Sequence, residues 1–342
     1  MKLLLAPLAG FTDAAFRLLC FECGADLAYT EMVSAAGLAH GSSPTRHLLE
    51  TMPGEGPVAC QLFGANEADL ALAAREASAC RADDGTPRFV ELNLNAGCPM
   101  PKIMGEGCGA KLVEEPERLH RLVKAMVENT SLPVTVKTRL GPRSARMTAL
   151  ELLDAAQSAG ARAFIVHARH TSQMHGGPVY LDRLAEVISR AKIPVIGNGS
   201  VTDAASAAAM AATGVSAIMV GRAALADPAV FARLKGRAAP DIDFYTRHLD
   251  YILRFREQLE ARYPADHIPS ADAFASVKMH VHLFRYFNGR PGAAALRARL
   301  NSVQTLDEMA AAVAPFLSAS ATAPGELQEK WRRKFLSRLG QA

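Results

Sequence analysis

Eight short apolar segments recur at a nearly even interval along the chain, and they limit the possible folds more than any other feature. They run from Leu3 to Pro7, Leu27 to Met32, Val58 to Gly64, Phe89 to Asn95, Val134 to Leu140, Ala163 to Arg169, Val195 to Ser200 and Ala217 to Arg222. Stretches with helical periodicity lie between them, such as Glu67 to Cys80, Glu115 to Asn129, Ala149 to Ala159, Leu181 to Ala191 and Asp203 to Ala212. Apolar runs this short, punctuated by Gly, Pro and Asn, suit buried parallel strands. Their alternation with amphipathic helices specifies an α/β architecture, and eight such units match a closed (β/α)8 TIM barrel. A doubly wound open sheet also alternates and is the architectural rival. Two helix starts carry the expected signals: Pro116 follows Glu115 in a first turn, and Thr202-Asp203 offers a cap to the helix after strand seven.

After Asp241 the strand pattern stops. Long helical patterns take over, at Phe244 to Arg262, Ala271 to Phe287, Gly292 to Leu300 and Leu306 to Leu317. The expected organisation is a catalytic barrel over residues 1–240, a smaller all-helical domain over 241–320 and a basic tail over 321–342. From Pro240 to Ser320 nine basic side chains balance nine acidic ones, so the helical domain is neutral. The tail's charge is concentrated in Lys330-Trp331-Arg332-Arg333-Lys334. The whole chain has a formal net charge of +4, which permits a polyanionic partner without demanding one.

No apolar run is long enough to cross a bilayer, because Asp, Gly or Thr breaks each alanine-rich segment. Met1 to Leu5 imitates a leader for a few residues, but Pro7, Gly10 and Asp13 interrupt it, and it reads better as a first strand. The six cysteines show no framework spacing, so free thiols in a reducing cytoplasm are expected. Cys20 and Cys23 form a lone CxxC inside a helical pattern, with no second pair to complete a metal site, and no metal is expected.

Barrels of this kind keep their chemistry at the C-terminal ends of the strands, and the unusual polar residues fall there. They are Gln61 on strand three, Asn93 and Asn95 on strand four, Lys137 and Arg139 on strand five, His167 and Arg169 on strand six, Asn198 and Gly199 on strand seven, and Gly221 and Arg222 on strand eight. In strands five and six the polar pair is two residues apart, so its members share one face, and that face is expected to point into the mouth. A lone histidine or lysine on such a strand is more often a satisfied core residue. Six strand ends of eight behaving alike is the informative observation.

Glycine-rich backbone after strands seven and eight, beside Arg222, is where such barrels bind phosphate. Lys137 can place positive charge beside a ring that becomes anionic on reduction, and Gln61 offers a donor and an acceptor to a flat imide edge. Those are the demands of a flavin. No GxGxxG unit is present, so a nicotinamide cofactor would bind only transiently. Strand four breaks off at Asn95-Ala96-Gly97-Cys98-Pro99, which puts the thiol of Cys98 in a turn at the strand end. Metal binding, nucleophilic attack and a plain structural role all remain open from the residues alone. Cys108, deeper in the glycine-rich loop, has no comparable company and reads as structural.

Asn95 to Pro99, followed by Lys102 and the run Gly105 to Leu112, resembles the signature of the tRNA-dihydrouridine synthases. So do Ala6 to Asp13, Gln61-Leu62-Phe63-Gly64, Val136 to Gly141, His167-Ala168-Arg169 with Gln173, Gly197-Asn198-Gly199 and Gly221-Arg222. Lys278 to Met309, with Phe287 to Gly292 and Leu296 to Asn301, is similar to that family's helical domain. The resemblance spans residues 1–317.

The resemblance implies an FMN-dependent oxidoreductase that converts particular uridines of tRNA to 5,6-dihydrouridine, with NADPH refilling the flavin. Carried over by position, Pro7, Leu8, Ala9, Gln61, Lys137, His167, Asn198, Gly199, Ser200, Gly221 and Arg222 would contact FMN. Asn95, Lys102, Arg139 and Arg169 would bind the substrate, Asn95 by orienting the uracil. Cys98 would be the acid, protonating C5 after hydride reaches C6 from flavin N5. A thiol with an ordinary pKa near 8.5 is mostly protonated at neutral pH and suits that task. The target base would have to leave its stack to enter the mouth. Four residues depart from the family pattern: Asn93 stands where Asp is usual, Ala168 where Gly is usual, Ser200 in place of an acid and Thr171 in place of a base. The competing readings are a flavin-dependent barrel reductase of a small pyrimidine or enone, and a catalytically silent RNA-binding relative. No obligatory protein partner is evident.

Overall fold

The computed structural model describes residues 1–287, 291–303 and 305–317. Its eight strands are β1 (Lys2–Leu5), β2 (Leu27–Ser34), β3 (Val58–Phe63), β4 (Glu91–Ala96), β5 (Val134–Arg139), β6 (Ala163–His167), β7 (Val195–Asn198) and β8 (Ala217–Val220). Each pairs in parallel with its neighbour in sequence, and β1 pairs with β8 to close the barrel. The open-sheet alternative is thereby excluded. All eight strands lie where the apolar segments placed them, most of them a residue or two shorter at the C-terminal end, where polar loops take over.

Contacts divide the described residues into two compact units, Met1–Phe244 and those from Tyr245 onward. The barrel is built by simple periodicities. The helix Pro116–Val127 buries Leu119, Leu122, Val123 and Met126, a stripe spaced three and four residues apart, against the outer face of the strands. Each fully buried Leu contributes about 1.5–3 kcal/mol. Asp203 caps the helix Ala204–Ala211 by accepting from the Ser206 amide, and Pro116 opens its own helix, as expected.

The helix Ala14–Glu22 is anchored by an ion pair rather than by apolar packing alone. Asp13 caps it, and Arg17, only 1% exposed, reaches Glu55 at 2.8 Å. The same guanidinium donates to the carbonyls of Thr12 (3.0 Å) and Glu50 (2.8 Å). Cys20 and Cys23 are buried in and just after this helix, and burial pushes both thiols up, Cys23 to about 12. Among the described residues no group of His, Cys, Asp and Glu is placed to hold a metal ion.

The inside of the barrel is divided by polarity. Residues two apart along a strand face inward together. Leu4, Ala6, Ile165, Ile196, Ala217 and Met219, on or just after β1, β6, β7 and β8, form most of an apolar cluster that Tyr29 and Ala59 complete from β2 and β3. Strands β3 to β5 contribute Gln61, Glu91, Asn93, Asn95, Thr135 and Lys137, and register sets these side by side: Ala59 against Glu91, Gln61 against Asn93, Asn93 against Thr135, Asn95 against Lys137. Polar groups buried without partners cost stability, so this half depends on its hydrogen bonds.

The second unit consists of the helices Phe244–Arg262, Ala271–Tyr286, Ala293–Leu300 and Leu306–Leu317. Leu249, Ile252, Leu259, Met279, Leu283 and Leu296 are buried. A buried polar cluster interrupts the apolar interior, with His248 and Tyr286 hydrogen-bonded at 2.9 Å and the rings of His248 and His282 packed edge to face at 4.5 Å. The tail expected to be basic, residues 321–342, lies outside the described residues. No helix among the described residues is long and apolar enough to cross a membrane.

Candidate active site at the barrel mouth

The turn after β4 is held from every side. Asn95 Oδ1 accepts from the backbone amides of Gly97 (3.1 Å) and Cys98 (3.0 Å), turning the chain sharply as the strand ends. The Cys98 carbonyl accepts from the Ala110 amide at 2.8 Å. Arg139 Nε donates to the Gly97 carbonyl at 2.8 Å, and its Nη1 to the His170 carbonyl at 3.2 Å. Gly109, at φ +60°, lets the glycine-rich loop return close beneath the turn. A Cβ there would lie 2.7 Å from the Cys98 carbonyl oxygen. The half-exposed thiol is therefore carried on a backbone with little freedom.

Beside it, β5 and β6 supply cations. Lys137 Nζ donates to Asn198 Oδ1 at 3.3 Å, while Asn198 Nδ2 donates to the Met219 carbonyl at 2.8 Å, tying β5, β7 and β8 together. Burial pushes the Lys137 ammonium down to about 7; Arg139 adds to the effect and Cys98 opposes it. Burial likewise lowers Arg139 to about 10, again opposed by Cys98 and reinforced by Arg169 and Arg222. Arg169 donates to the Gly177 carbonyl (2.7 Å), to Ser200 Oγ (2.6 Å) and to His167 Nε2 (3.2 Å). A guanidinium can only donate, so His167 accepts at Nε2 and is neutral. Burial first, then Lys137, Arg139 and Arg169, hold its pKa well below the ordinary histidine value, in agreement. Lys137, Arg139, Arg169 and Arg222 thus converge on one mouth.

The backbone after β7 is shaped for close approach. Gly199 sits at φ +132°, where a Cβ would meet Val179 at 2.9 Å and His167 at 3.2 Å, and Ser200 follows at φ +51°. Successive amides in such a turn form a concave anion site. Gly221 leads into the short helix Arg222–Ala226. Four cations and a backbone shaped by Gly199 and Gly221 at the C-terminal end of a barrel suit an anionic ligand, next to a constrained thiol.

The sequence matches the family described as Dihydrouridine synthase over residues 4–321. The chain belongs to that family. It is 33% identical over 300 residues to a probable tRNA-dihydrouridine synthase of Treponema pallidum, with 84% of each chain covered. It is 30% identical over 332 residues to tRNA-dihydrouridine synthase B of Pseudomonas putida, covering 93% of this chain and 91% of the relative.

In this dihydrouridine synthase the residues expected at the site are not all alike in position. Cys98, Asn95, Lys137, Arg139, His167, Arg169, Asn198, Gly199 and Ser200 are linked by the hydrogen bonds and close approaches above. Pro7, Leu8 and Ala9 form the loop after β1, closed by Leu8 and Thr12. Gln61 is fully buried below the mouth, bonded to Asn93 (2.7 Å) and Asn95 (2.8 Å). Lys102 stands apart, exposed on the short helix Pro101–Gly105. Asn95 and Arg139, expected to bind substrate, are 6% and 2% exposed and spend their hydrogen bonds on the Cys98 turn and its neighbours. Of the departures from the family pattern, Ala168 is buried between strand neighbours, and Thr171 opens a short turn by donating to the Gly141 carbonyl.

Several participants were not anticipated. Glu31 on β2 accepts from the Gly10 amide, and Met32 Sδ lies 2.9 Å from Asn95 Nδ2; a bulge between Tyr29 and Met32 shifts that strand's register. His175 is on the exposed loop after β6, its pKa held below the ordinary value by partial desolvation and by Arg139, Arg222, Lys137 and Arg169. Its neighbour Met174 has a left-handed φ of 51°. The family motif ends before His175, and only three-dimensional proximity marks it.

Proposed function

We infer that this chain is an FMN-dependent tRNA-dihydrouridine synthase, reducing the C5–C6 double bond of uridines in tRNA with NADPH as transient reductant. The observation that carries the reading is the constrained thiol of Cys98 at a mouth ringed by Lys137, Arg139, Arg169 and Arg222. The donor set fits FMN. Arg222 and the backbone of Gly199, Ser200 and Gly221 suit its phosphate, Lys137 its ring edge, and His167, Asn198 and the Pro7-Leu8-Ala9 loop the rest of its outline, while Gln61, expected at the ring edge, is buried with its amide engaged by Asn93 and Asn95 and supports the floor of the site. FMN held by these residues would supply hydride to C6 of the uracil.

The chain's own residues do the remaining work. Cys98 protonates C5, so the uracil gains one hydride and one proton, and the thiolate left behind is reprotonated from solvent. Arg139 and Asn95 hold the turn that presents the thiol, with the Asn95 amide adjoining the place where the base would lie. Arg169, braced by Ser200 and Gly177, and the exposed Lys102 meet the tRNA backbone, and the helical unit with the tail supplies further surface. Neutral His167 withholds a fifth positive charge from the mouth.

The decisive variant is Cys98→Ala. It is expected to retain bound flavin and NADPH oxidation while losing dihydrouridine formation on unmodified tRNA, followed by mass spectrometry of the nucleosides. Full product formation would remove Cys98 as the proton donor. Oxidation of the reduced flavin by free uracil as fast as by tRNA would instead favour a small-molecule reductase.

A further inference from the structure

We propose that Glu91, at the closed end of the barrel, is a positioning residue for Cys98, acting through a one-directional chain of hydrogen bonds that climbs the barrel interior. The proposal rests on the reading of Cys98 as proton donor. Glu91 begins β4 and Asn95 nearly ends it, so the chain covers roughly 13 Å at about 3.3 Å per residue.

The chain has two fixed ends. At the top, the amides of Gly97 and Cys98 can only donate, so the atom they meet must be the Asn95 oxygen. At the bottom, the Glu91 carboxylate accepts from Tyr29 OH at 2.6 Å and from Thr135 Oγ1 at 3.0 Å. Between them the polarity is forced link by link. Thr135 gives its proton to Glu91 and accepts from Asn93 Nδ2 at 2.8 Å. The Asn93 oxygen then faces Gln61 Nε2 at 2.7 Å. The Gln61 oxygen faces Asn95 Nδ2 at 2.8 Å, which leaves the Asn95 oxygen for the two backbone amides. Inverting any one amide would set donor against donor or oxygen against oxygen.

Three amides of nearly symmetric shape are thus held in one orientation from both ends, by the Gly97 and Cys98 amides above and by the carboxylate below; without the carboxylate the buried Thr135 hydroxyl loses its acceptor and the lower end of the run its anchor. Tyr29, Gln61, Asn93 and Thr135 are all 0–1% exposed, so water cannot substitute for a missing partner along the run. Asn93 suits this arrangement because it both accepts from Gln61 and donates to Thr135, whereas an ionised Asp could do only the former. Burial holds the Glu91 pKa above the ordinary glutamate value, and the hydroxyls of Tyr29 and Thr135 oppose this only in part by donating to the charged form.

The test compares Glu91→Met with Glu91→Gln in the full-length holoenzyme. Glu91→Met removes the acceptor; Glu91→Gln keeps an oxygen that can receive both hydroxyls. For Glu91→Met the expected result is a tenfold or greater fall in kcat for dihydrouridine formation, with KM for tRNA within twofold. Its Cys98 should also alkylate at least fivefold faster with iodoacetamide, read by mass spectrometry of the Cys98 peptide. Glu91→Gln should stay within threefold of the parent in both. Leu4→Ala, which opens a cavity in the apolar cluster of the same barrel, serves as the stability control and should lower the melting temperature without moving either value. If Glu91→Met does not fold, Thr135→Val breaks the same link with similar shape and should reproduce its effects.

Unchanged kcat and alkylation in Glu91→Met, or in Thr135→Val, would overturn the proposal, as would equal changes in Leu4→Ala. Cys98→Ala run in parallel separates the two readings. If it is inert while Glu91→Met is fully active, the relay alone fails; if Cys98→Ala is active, the proton-donor reading fails. The alkylation rate reports on the turn without depending on turnover.

Discussion

Lys137 illustrates how much of the site's character resides in single residues. Its ammonium is buried among other cations, and its pKa is held at about 7, against an ordinary 10.5. Between those values the unfolded chain binds a proton that the folded chain has released, so stability rises with pH across that window. Above about pH 8.5 the buried thiols of Cys20, Cys60 and Cys108, whose pKa values are raised, act in the opposite direction. In flavin-free protein, urea unfolding at pH 7.0 and 8.5 should show a gain of about 1 kcal/mol over this interval. Lys137→Met should abolish the gain. An anionic ligand beside the ammonium favours its charged form, so the slope should also flatten when flavin is bound.

At the scale of elements, the helix Ala14–Glu22 depends on a buried charge that its amphipathic pattern does not reveal. Arg17 holds Glu55 together with the carbonyls of Thr12 and Glu50, and so fastens the loop after β1 to the segment preceding β3. Arg17→Met leaves the Glu55 carboxylate buried without its cation and should destabilise the protein by about 3–5 kcal/mol. The double variant Arg17→Met with Glu55→Met removes both charges and should recover much of that stability. Thermal unfolding of the single and double variants checks both statements, and an undiminished melting temperature in the single variant would contradict the first. The strands show a related contrast. Below the mouth β6 to β8 contribute Ile165, Ile196, Ala217 and Met219 to the interior and need shape there, with the Asn198 amide the exception at the strand end, while β3 to β5 need each amide turned the right way.

For the molecule as a whole, recognition of tRNA is the property with the least local signature. The helical domain has as many acidic as basic side chains from Pro240 to Ser320, so net charge does not draw it to RNA. The strongest concentration of basic residues outside the barrel is Lys330 to Lys334 in the tail. Removing residues after Ser320 should weaken tRNA binding modestly, and the slope of log affinity against log salt should fall by about 0.7–0.9 for each phosphate that the tail no longer neutralises. Filter binding at low and moderate salt measures this. Equal affinities of the two forms at low salt would show that the tail takes no part.

The sequence by itself determined the order and type of the elements. Strand and helix periodicities are local, so eight strand positions, the helices of the second unit and the placement of Cys98 in a turn could all be read along the chain. The family motifs named the residues of the mouth for the same reason, since they cluster at strand ends. Tertiary structure decided what those residues do to one another. Gln61 meets Asn93 and Asn95 across 32 and 34 positions of sequence, and Asn93 meets Thr135 across 42. Arg139 faces inward to hold the Cys98 turn while Lys102 faces solvent, a difference no composition or spacing records. Hydrogen-bond direction depends on both partners at once, and in a parallel barrel those partners come from neighbouring strands separated by a whole helix. The polarity of the interior, and the link from Glu91 to Cys98, therefore exist only once register is set.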